Sequence, residues 1–202
     1  MDNIRSRRMN FIKNYFNLIA KVSKIIDYKK IRKTIEILKN TRKSKGRLFI
    51  IGVGGSAGNA SHAVNDFRKL CGIEAYAPTD NVSEITARTN DDGFDFIFSE
   101  YLKIANLKKN DAILIFSVGG GNEEKKVSIN LINAIKLAKN KKSKVISIVG
   151  KNDGYAFKNS DICIFVNSPD KKLITPISES FQVVIWHLLV SHPDLQINST
   201  KW

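Results

Sequence analysis

The spacing of hydrophobic and polar positions changes character near residue 47. Before it, Phe11, Ile12, Tyr15, Phe16, Leu18, Ile19, Val22, Ile25 and Ile26 recur at helical spacing over a face wider than one contact needs, which predicts a partner surface. A second helix is predicted over 31–42, ending near Lys45-Gly46. From Arg47 onward short apolar, β-branched runs alternate with longer amphipathic ones. Strands are predicted at 47–52, 74–77, 112–117, 144–149 and 161–166, and helices at roughly 57–71, 94–106, 123–140 and 175–191. Runs such as Lys144-Val145-Ile146-Ser147-Ile148-Val149 suit strands covered on both faces. The alternation predicts an α/β fold: a five-stranded parallel sheet flanked by helices, with right-handed crossovers and an N-terminal helical extension. Residues 1–45 form that extension within the same domain, 46–192 the α/β domain and 193–202 a C-terminal tail.

Two glycine loops change the picture from fold to ligand. Val53-Gly54-Gly55-Ser56 follows the first strand and opens a helix, leaving backbone N–H groups and a positive dipole end facing an anion. Ser117-Val118-Gly119-Gly120-Gly121-Asn122 follows the third predicted strand in the same way. Ligands of open parallel sheets bind at the carboxyl ends of strands, where strand order reverses. Two such loops predict one phosphorylated ligand between them.

Composition sets bounds on this. A chain of 202 residues with 43% hydrophobic and 26% charged residues can bury a full core. Cys71 and Cys163 lie in apolar sequence and are read as buried free thiols. No secretory signal is recognised, and no segment reads as a membrane span, so a cytoplasmic protein with no membrane partner is expected. Net charge is +14, from 33 Lys and Arg against 19 Asp and Glu. The lysines look scattered and no Arg-rich or aromatic-interleaved patch stands out, so nucleic acid is not the expected partner.

The chain has three histidines, His62, His187 and His192. His62 and Asp66 are four apart on one predicted helix, and Glu179 and His187 eight apart on the last. If both helices face the crevice, two carboxylates and two imidazoles converge, able to move protons next to a carbonyl or to hold a metal. Plainer readings exist for each: a surface ion pair for His62 and Asp66, a core histidine for His187, a helix-end residue for His192, and a dipole-facing carboxylate for Glu179.

Gly52-Val53-Gly54-Gly55-Ser56-Ala57 with His62 following, Thr89-Asn90-Asp91, Phe94-Asp95-Phe96-Ile97-Phe98 and Val149-Gly150-Lys151-Asn152-Asp153-Gly154 together resemble the phosphoheptose isomerases of the sugar isomerase (SIS) superfamily. The resemblance runs over about residues 11–192. It implies a flavodoxin-like sandwich, homotetramers with sites at subunit interfaces, and conversion of sedoheptulose 7-phosphate to a D-glycero-D-manno-heptose 7-phosphate through an enediol, for surface-polysaccharide precursors. By the same resemblance His62, Asp66, Glu179 and His187 match positions that bind zinc in some members, with Asp66 and His187 at the proton-transfer positions. Because Asp66 is a methylene shorter than the usual Glu, Glu179 is a second candidate base. Asn90 and Asp91 match substrate contacts, and Ser117, Val118, Gly119 and Gly120, with Asn122 nearby, match the phosphate loop. Gly54, Gly55 and Ser56 complete the predicted substrate contacts.

The chain departs from the family pattern in ways that bear on mechanism. The usual Ser-Thr-Ser-Gly-Asn-Ser loop has become Ser117-Val118-Gly119-Gly120-Gly121-Asn122, with two hydroxyls lost. Val53 replaces an Asn, Asp66 a Glu, and Glu179 a Gln. The Ser-Val-Gly-Gly-Gly loop and the Trp186-to-Pro193 ending resemble a divergent branch. Two rival functions therefore stay open: a non-catalytic SIS module that binds a sugar phosphate or a protein partner, as in a replication-initiator-associating relative, and an isomerase of another phosphosugar.

Overall fold

A computed structural model of the protein describes residues 2–200, with side chains described from Met9 onward. Helices α1 (Asp2–Ile25) and α2 (Tyr28–Lys43) precede strand β1 (Leu48–Ile51). Then follow α3 (Gly55–Cys71), β2 (Ala75–Tyr76), α4 (Val82–Asp91), α5 (Ile97–Ile104), β3 (Ala112–Ser117), α6 (Ile129–Asn140), β4 (Lys144–Val149), α7 (Tyr155–Asn159), β5 (Ile162–Phe165) and α8 (Ile174–Ser191). Local chemistry sets several boundaries. Asp27 starts α2 by accepting from the Lys29 and Lys30 N–H groups, and Gly72 ends α3 in the left-handed conformation.

The sheet is entirely parallel, in the order β2-β1-β3-β4-β5. Period-2 alternation along each strand feeds two cores. Leu48, Ile50, Leu114, Ile146 and Ile148 pack with Phe67, Phe181, Ile185 and Trp186 on one face. Phe49, Ile51, Ile113, Ile115 and Val145 pack with Phe98, Leu102, Leu131 and Ile135 on the other. The chain builds β2 on one side of β1 and β3 on the other, so the strand order reverses between β1 and β3. Both glycine loops leave from those two strands, at the carboxyl edge where a crevice opens.

Some elements differ from the sequence expectation. The helix predicted from 123 begins only at Ile129, because Asn122 and Val127 bridge each other and close a short excursion. Helix α4 had no predicted counterpart. It buries no residue and is held by the Asn81 cap and by Arg88 bonding Glu84 at 2.7 Å, signals with no hydrophobic period. Contrary to the expectation of no span, residues Lys171–Ser191 are long and apolar enough to cross a membrane by length and composition alone. Yet α8 lays Phe181, Ile185, Trp186 and Leu189 into the core against α3, so its apolarity serves packing.

Candidate active site

Backbone geometry explains the first loop. Gly54 sits at φ 63°, ψ −128°, a region closed to side chains, and its carbonyl accepts from Ala57 and Gly58 as α3 begins. Gly55 is required for a different reason. A Cβ there would lie 2.8 Å from the Glu179 carboxylate, which therefore rests on the first turn of α3. An anion at this helix end is favourable, but it is the protein's own. A substrate phosphate on Gly55 and Ser56 would meet that like charge, so the phosphate contact expected at Gly54, Gly55 and Ser56 is better placed at the second loop.

That loop is braced from behind. The carbonyls of Val118, Gly120 and Gly121 accept from Gly150, Ala156 and Tyr155, and Ser117 Oγ accepts from Gly120 N–H at 2.9 Å. Gly119 stands partly open, and a Cβ there would meet nothing within 4 Å. Asn122 turns instead into its own excursion, its Oδ1 accepting from Lys125 N–H. The helix N-terminus next to this loop belongs to Ser128 and Asn130, which sequence reasoning missed by starting the helix too early. Ser128 caps α6 from a left-handed backbone (φ 51°) with its side chain uncommitted to the cap, and the buried Asn130 Nδ2 has no partner. The spacing Ser128-Ile129-Asn130 ahead of an apolar helical run could have marked this start.

The proton-transfer candidates divide. Asp66, 3% exposed, lies between two histidines that reach solvent: its Oδ2 is 3.8 Å from His62 Nε2 and 3.9 Å from His187 Nε2. Asn65 Nδ2 donates to the other oxygen at 2.9 Å. His187 Nδ1–H donates to the Val183 carbonyl at 3.0 Å, which leaves the Nε2 lone pair facing Asp66. The fully buried Trp186 ring backs both imidazoles, with centroids 3.5 Å from His187 and 4.7 Å from His62. Glu179 does not join them. It precedes His187 by eight residues on α8, roughly 12 Å of helix rise, so the expected group of four is a group of three plus one distant carboxylate.

Ligand atoms of His62, Asp66 and His187 all lie within 4.8 Å of one another. Two imidazoles and one carboxylate form the open three-ligand set of catalytic zinc, whose ligand atoms stand roughly 3.4 Å apart. The two imidazole–carboxylate separations, 3.8 and 3.9 Å, are a few tenths wider, and the whole trio lies within 4.8 Å and would draw together on an ion. The Val183 carbonyl supplies the outer hydrogen bond that orients a ligating imidazole. The residues fit such an ion; Glu179 would lie outside its coordination.

The remaining predicted residues lie apart. Asn90 and Asp91 are exposed at the end of α4, where Asn90 Nδ2 donates to Asp91 Oδ1 at 2.8 Å, and among the described residues neither bonds to a glycine loop. His192 caps the end of α8 and accepts from Asp194 N–H, in line with its plainer reading. Cys71 and Cys163 are buried free thiols, as expected.

An all-parallel sandwich with glycine loops at its strand-order reversal defines a class of α/β ligand-binding architecture. The chain belongs to one family of that class, the SIS-domain proteins, whose family model matches residues 10–150. Its relatives within that family include proteins named phosphoheptose isomerase. That of Buchnera aphidicola is 32% identical over 79% of this chain and 79% of its own length. A lincomycin biosynthesis protein of Streptomyces lincolnensis is 31% identical over 78% of this chain, which spans only 59% of that protein. In three dimensions the Neisseria gonorrhoeae phosphoheptose isomerase superposes with TM-score 0.77 at 23% identity, over 93% of this chain and 97% of the other.

Proposed function

We propose that the protein is a ketose–aldose isomerase converting sedoheptulose 7-phosphate to a D-glycero-D-manno-heptose 7-phosphate. The observation that carries this reading is the buried Asp66 carboxylate held between two solvent-facing imidazoles. Relatives named phosphoheptose isomerase support the choice of substrate. Asp66 removes the proton from C1 of the ketose. His187 Nε2 takes the O1 hydroxyl proton and delivers it to O2, leaving an enediolate with its negative charge on O1. Asp66 then returns its proton to C2 while O1 becomes the aldehyde oxygen, so the reaction is balanced without a co-reactant. A zinc ion held by His62, Asp66 and His187 would supply Lewis-acid polarisation of the substrate in place of those side chains' own proton transfer, so the steps above are those of the ion-free trio. The phosphate is held by Ser117 and the N–H groups near Gly119, with Ser128 at the start of α6.

His62 lies seven residues beyond Gly55 on α3, about 10 Å along the helix, so within one chain the trio stands well away from the first glycine loop. We infer a homotetramer in which one copy's trio closes over another copy's loops. Exposed Val184 and Leu188 beside His187, and exposed Phe11, Ile12 and Phe16 on α1, are surfaces such an assembly would cover.

The test is NMR of sedoheptulose 7-phosphate with the protein in D₂O, with and without a chelator. An aldose signal carrying deuterium at C2 is expected. Absence of turnover, with thermal stabilisation by the sugar phosphate, would move the function to a non-catalytic module. That rival draws its support from the two hydroxyls missing from the second loop.

A further inference from the structure

The net charge of +14 finds no use at the proposed site, and it is not scattered. The three loops that enter β1, β3 and β4 (residues 42–47, 108–111 and 139–144) carry ten basic residues against one acid, Asp111, and so hold nine of the fourteen net charges. In a parallel sheet all three lie at the amino edge, opposite the glycine loops. They touch one another there: Asn110 Nδ2 donates to the Ser44 carbonyl at 3.0 Å, and Ser143 Oγ to the Asp111 carbonyl at 2.8 Å. Asp111 is spent on Arg47, at 2.7 Å. Asp161, just ahead of β5 at the same edge, pairs with Lys139 and Lys144 at 3.4 and 3.7 Å, which leaves Lys43, Lys45, Lys108, Lys109, Lys141 and Lys142 to carry the excess. Lysine near a helix C-terminus also offsets the dipole, which explains part of the pattern.

Three observations go beyond dipole matching. Lys45 and Lys142 hold left-handed backbone conformations, at φ 52° and 58°, where glycine is the relaxed choice. A cavity of about 520 Å³ opens among Ile37, Thr41, Lys108, Lys109, Asp111 and Lys144, the carboxylate there being held by Arg47, a size suited to one phosphate-bearing headgroup. Ile104, 76% exposed, projects beside Lys103 at the same edge, where Arg47 bonds the neighbouring Ala105 and Asn106 carbonyls.

We propose that this amino edge is an electrostatic docking face for an anionic phospholipid bilayer. Lysines with one apolar prong match a charged interface, and the cavity takes one headgroup while flanking lysines face its neighbours. Nucleic acid fits less well. These loops bring no aromatic ring for base stacking, and their two arginines are occupied, Arg47 by Asp111 and Arg42 by the Cys71, Asp194 and Leu195 carbonyls. Docking by this edge leaves the glycine loops facing away from the membrane. Such docking would give the protein a membrane partner that its sequence did not lead one to expect.

The test is co-sedimentation of the full chain with vesicles of one part phosphatidylglycerol to two parts phosphatidylcholine, against pure phosphatidylcholine. Binding is expected to the anionic vesicles only, and to disappear at about 1 M salt, where the Debye length falls to about 3 Å. Each lysine near a charged bilayer contributes about fivefold to partitioning, so Lys45→Gly with Lys142→Gly should weaken it about twenty-five-fold. Glycine relaxes both backbones, so the melting temperature should stay near the parent's. Replacing Lys24 and Lys33 by Gln removes equal charge elsewhere and should leave binding nearly unchanged. No binding to anionic vesicles overturns the proposal, as does an equal loss in the control pair. Displacement from vesicles by a single-stranded DNA oligonucleotide at equal phosphate concentration would also overturn it and assign the edge to nucleic acid.

Discussion

Which carboxylate takes the C1 proton can be decided by two isosteric substitutions, Asp66→Asn and Glu179→Gln. Asp66 is 3% exposed and accepts from Asn65 at 2.9 Å. The Asn side chain keeps that acceptor and the volume, so folding should change by no more than about 1.5 kcal/mol, the scale of a charge-assisted bond weakened to a neutral one. Catalysis should fall far more. A general base contributes about 10²–10⁴-fold, or about 3–5.5 kcal/mol of barrier. Glu179 stands roughly 12 Å from His187 along α8, too far to share one enediol with it. Its loss should cost kcat less than about tenfold, and KM should improve if its charge repels the phosphorylated substrate. The assay is deuterium incorporation at C2 under single-turnover conditions, with thermal melts to certify folding. If Glu179→Gln abolishes exchange while Asp66→Asn retains it within tenfold, the trio is not the proton-transfer site.

Further outcomes follow from other parts of the molecule. His187→Ala should lower turnover about 10²–10⁴-fold, and activity within tenfold of the parent would remove His187 from the mechanism. Ser128→Ala should raise KM for the sugar phosphate several-fold with little change in kcat, measured by steady-state kinetics; an unchanged KM would take the α6 N-terminus out of phosphate binding. Asp111→Ala leaves Arg47 without its buried partner and should cost about 3 kcal/mol, lowering the melting temperature by about 6–12 °C in a chain of this length. Burial pushes the Cys71 thiol up to about 11, so its folded form favours the neutral state. That contribution is complete below the unfolded value near 9 and is lost as pH rises towards 11; Cys71→Ala should flatten this alkaline slope in melting temperature.

The fold was readable because its strands are buried on both faces and its helices are amphipathic, so the two periods differ along the chain. The strand runs at 112–117 and 144–149 match β3 and β4. What escaped depends on polar local chemistry. Helix α4 buries nothing and rests on a cap and two ion pairs, so it has no apolar period to find. The late start of α6 depends on the Asn122–Val127 bridge, a contact between residues of no special pattern. At the site, spacing alone placed His62 with Asp66 and put Glu179 and His187 on one helix. It could not show that α3 and α8 pack so that His187 meets Asp66 while Glu179 meets Gly55, because that depends on how far one helix slides past the other.

That packing also bears on the substitutions seen along the chain. A carboxylate at position 179 sits on a helix N-terminus, where a negative charge is stabilised by the α3 dipole and where no histidine is near enough to pair with it. Asp66, by contrast, must reach its two imidazoles from within the α3–α8 interface, against the closed Trp186 ring. There a shorter side chain leaves room for an ion or a substrate hydroxyl between Asp66 and the two Nε2 atoms, which stand 3.8 and 3.9 Å away. The two positions are therefore not exchangeable carboxylates in one site. Position 66 stands with two imidazoles, as the proposed proton transfer requires, whereas position 179 occupies the first glycine loop, where its charge would oppose the phosphate of the proposed substrate.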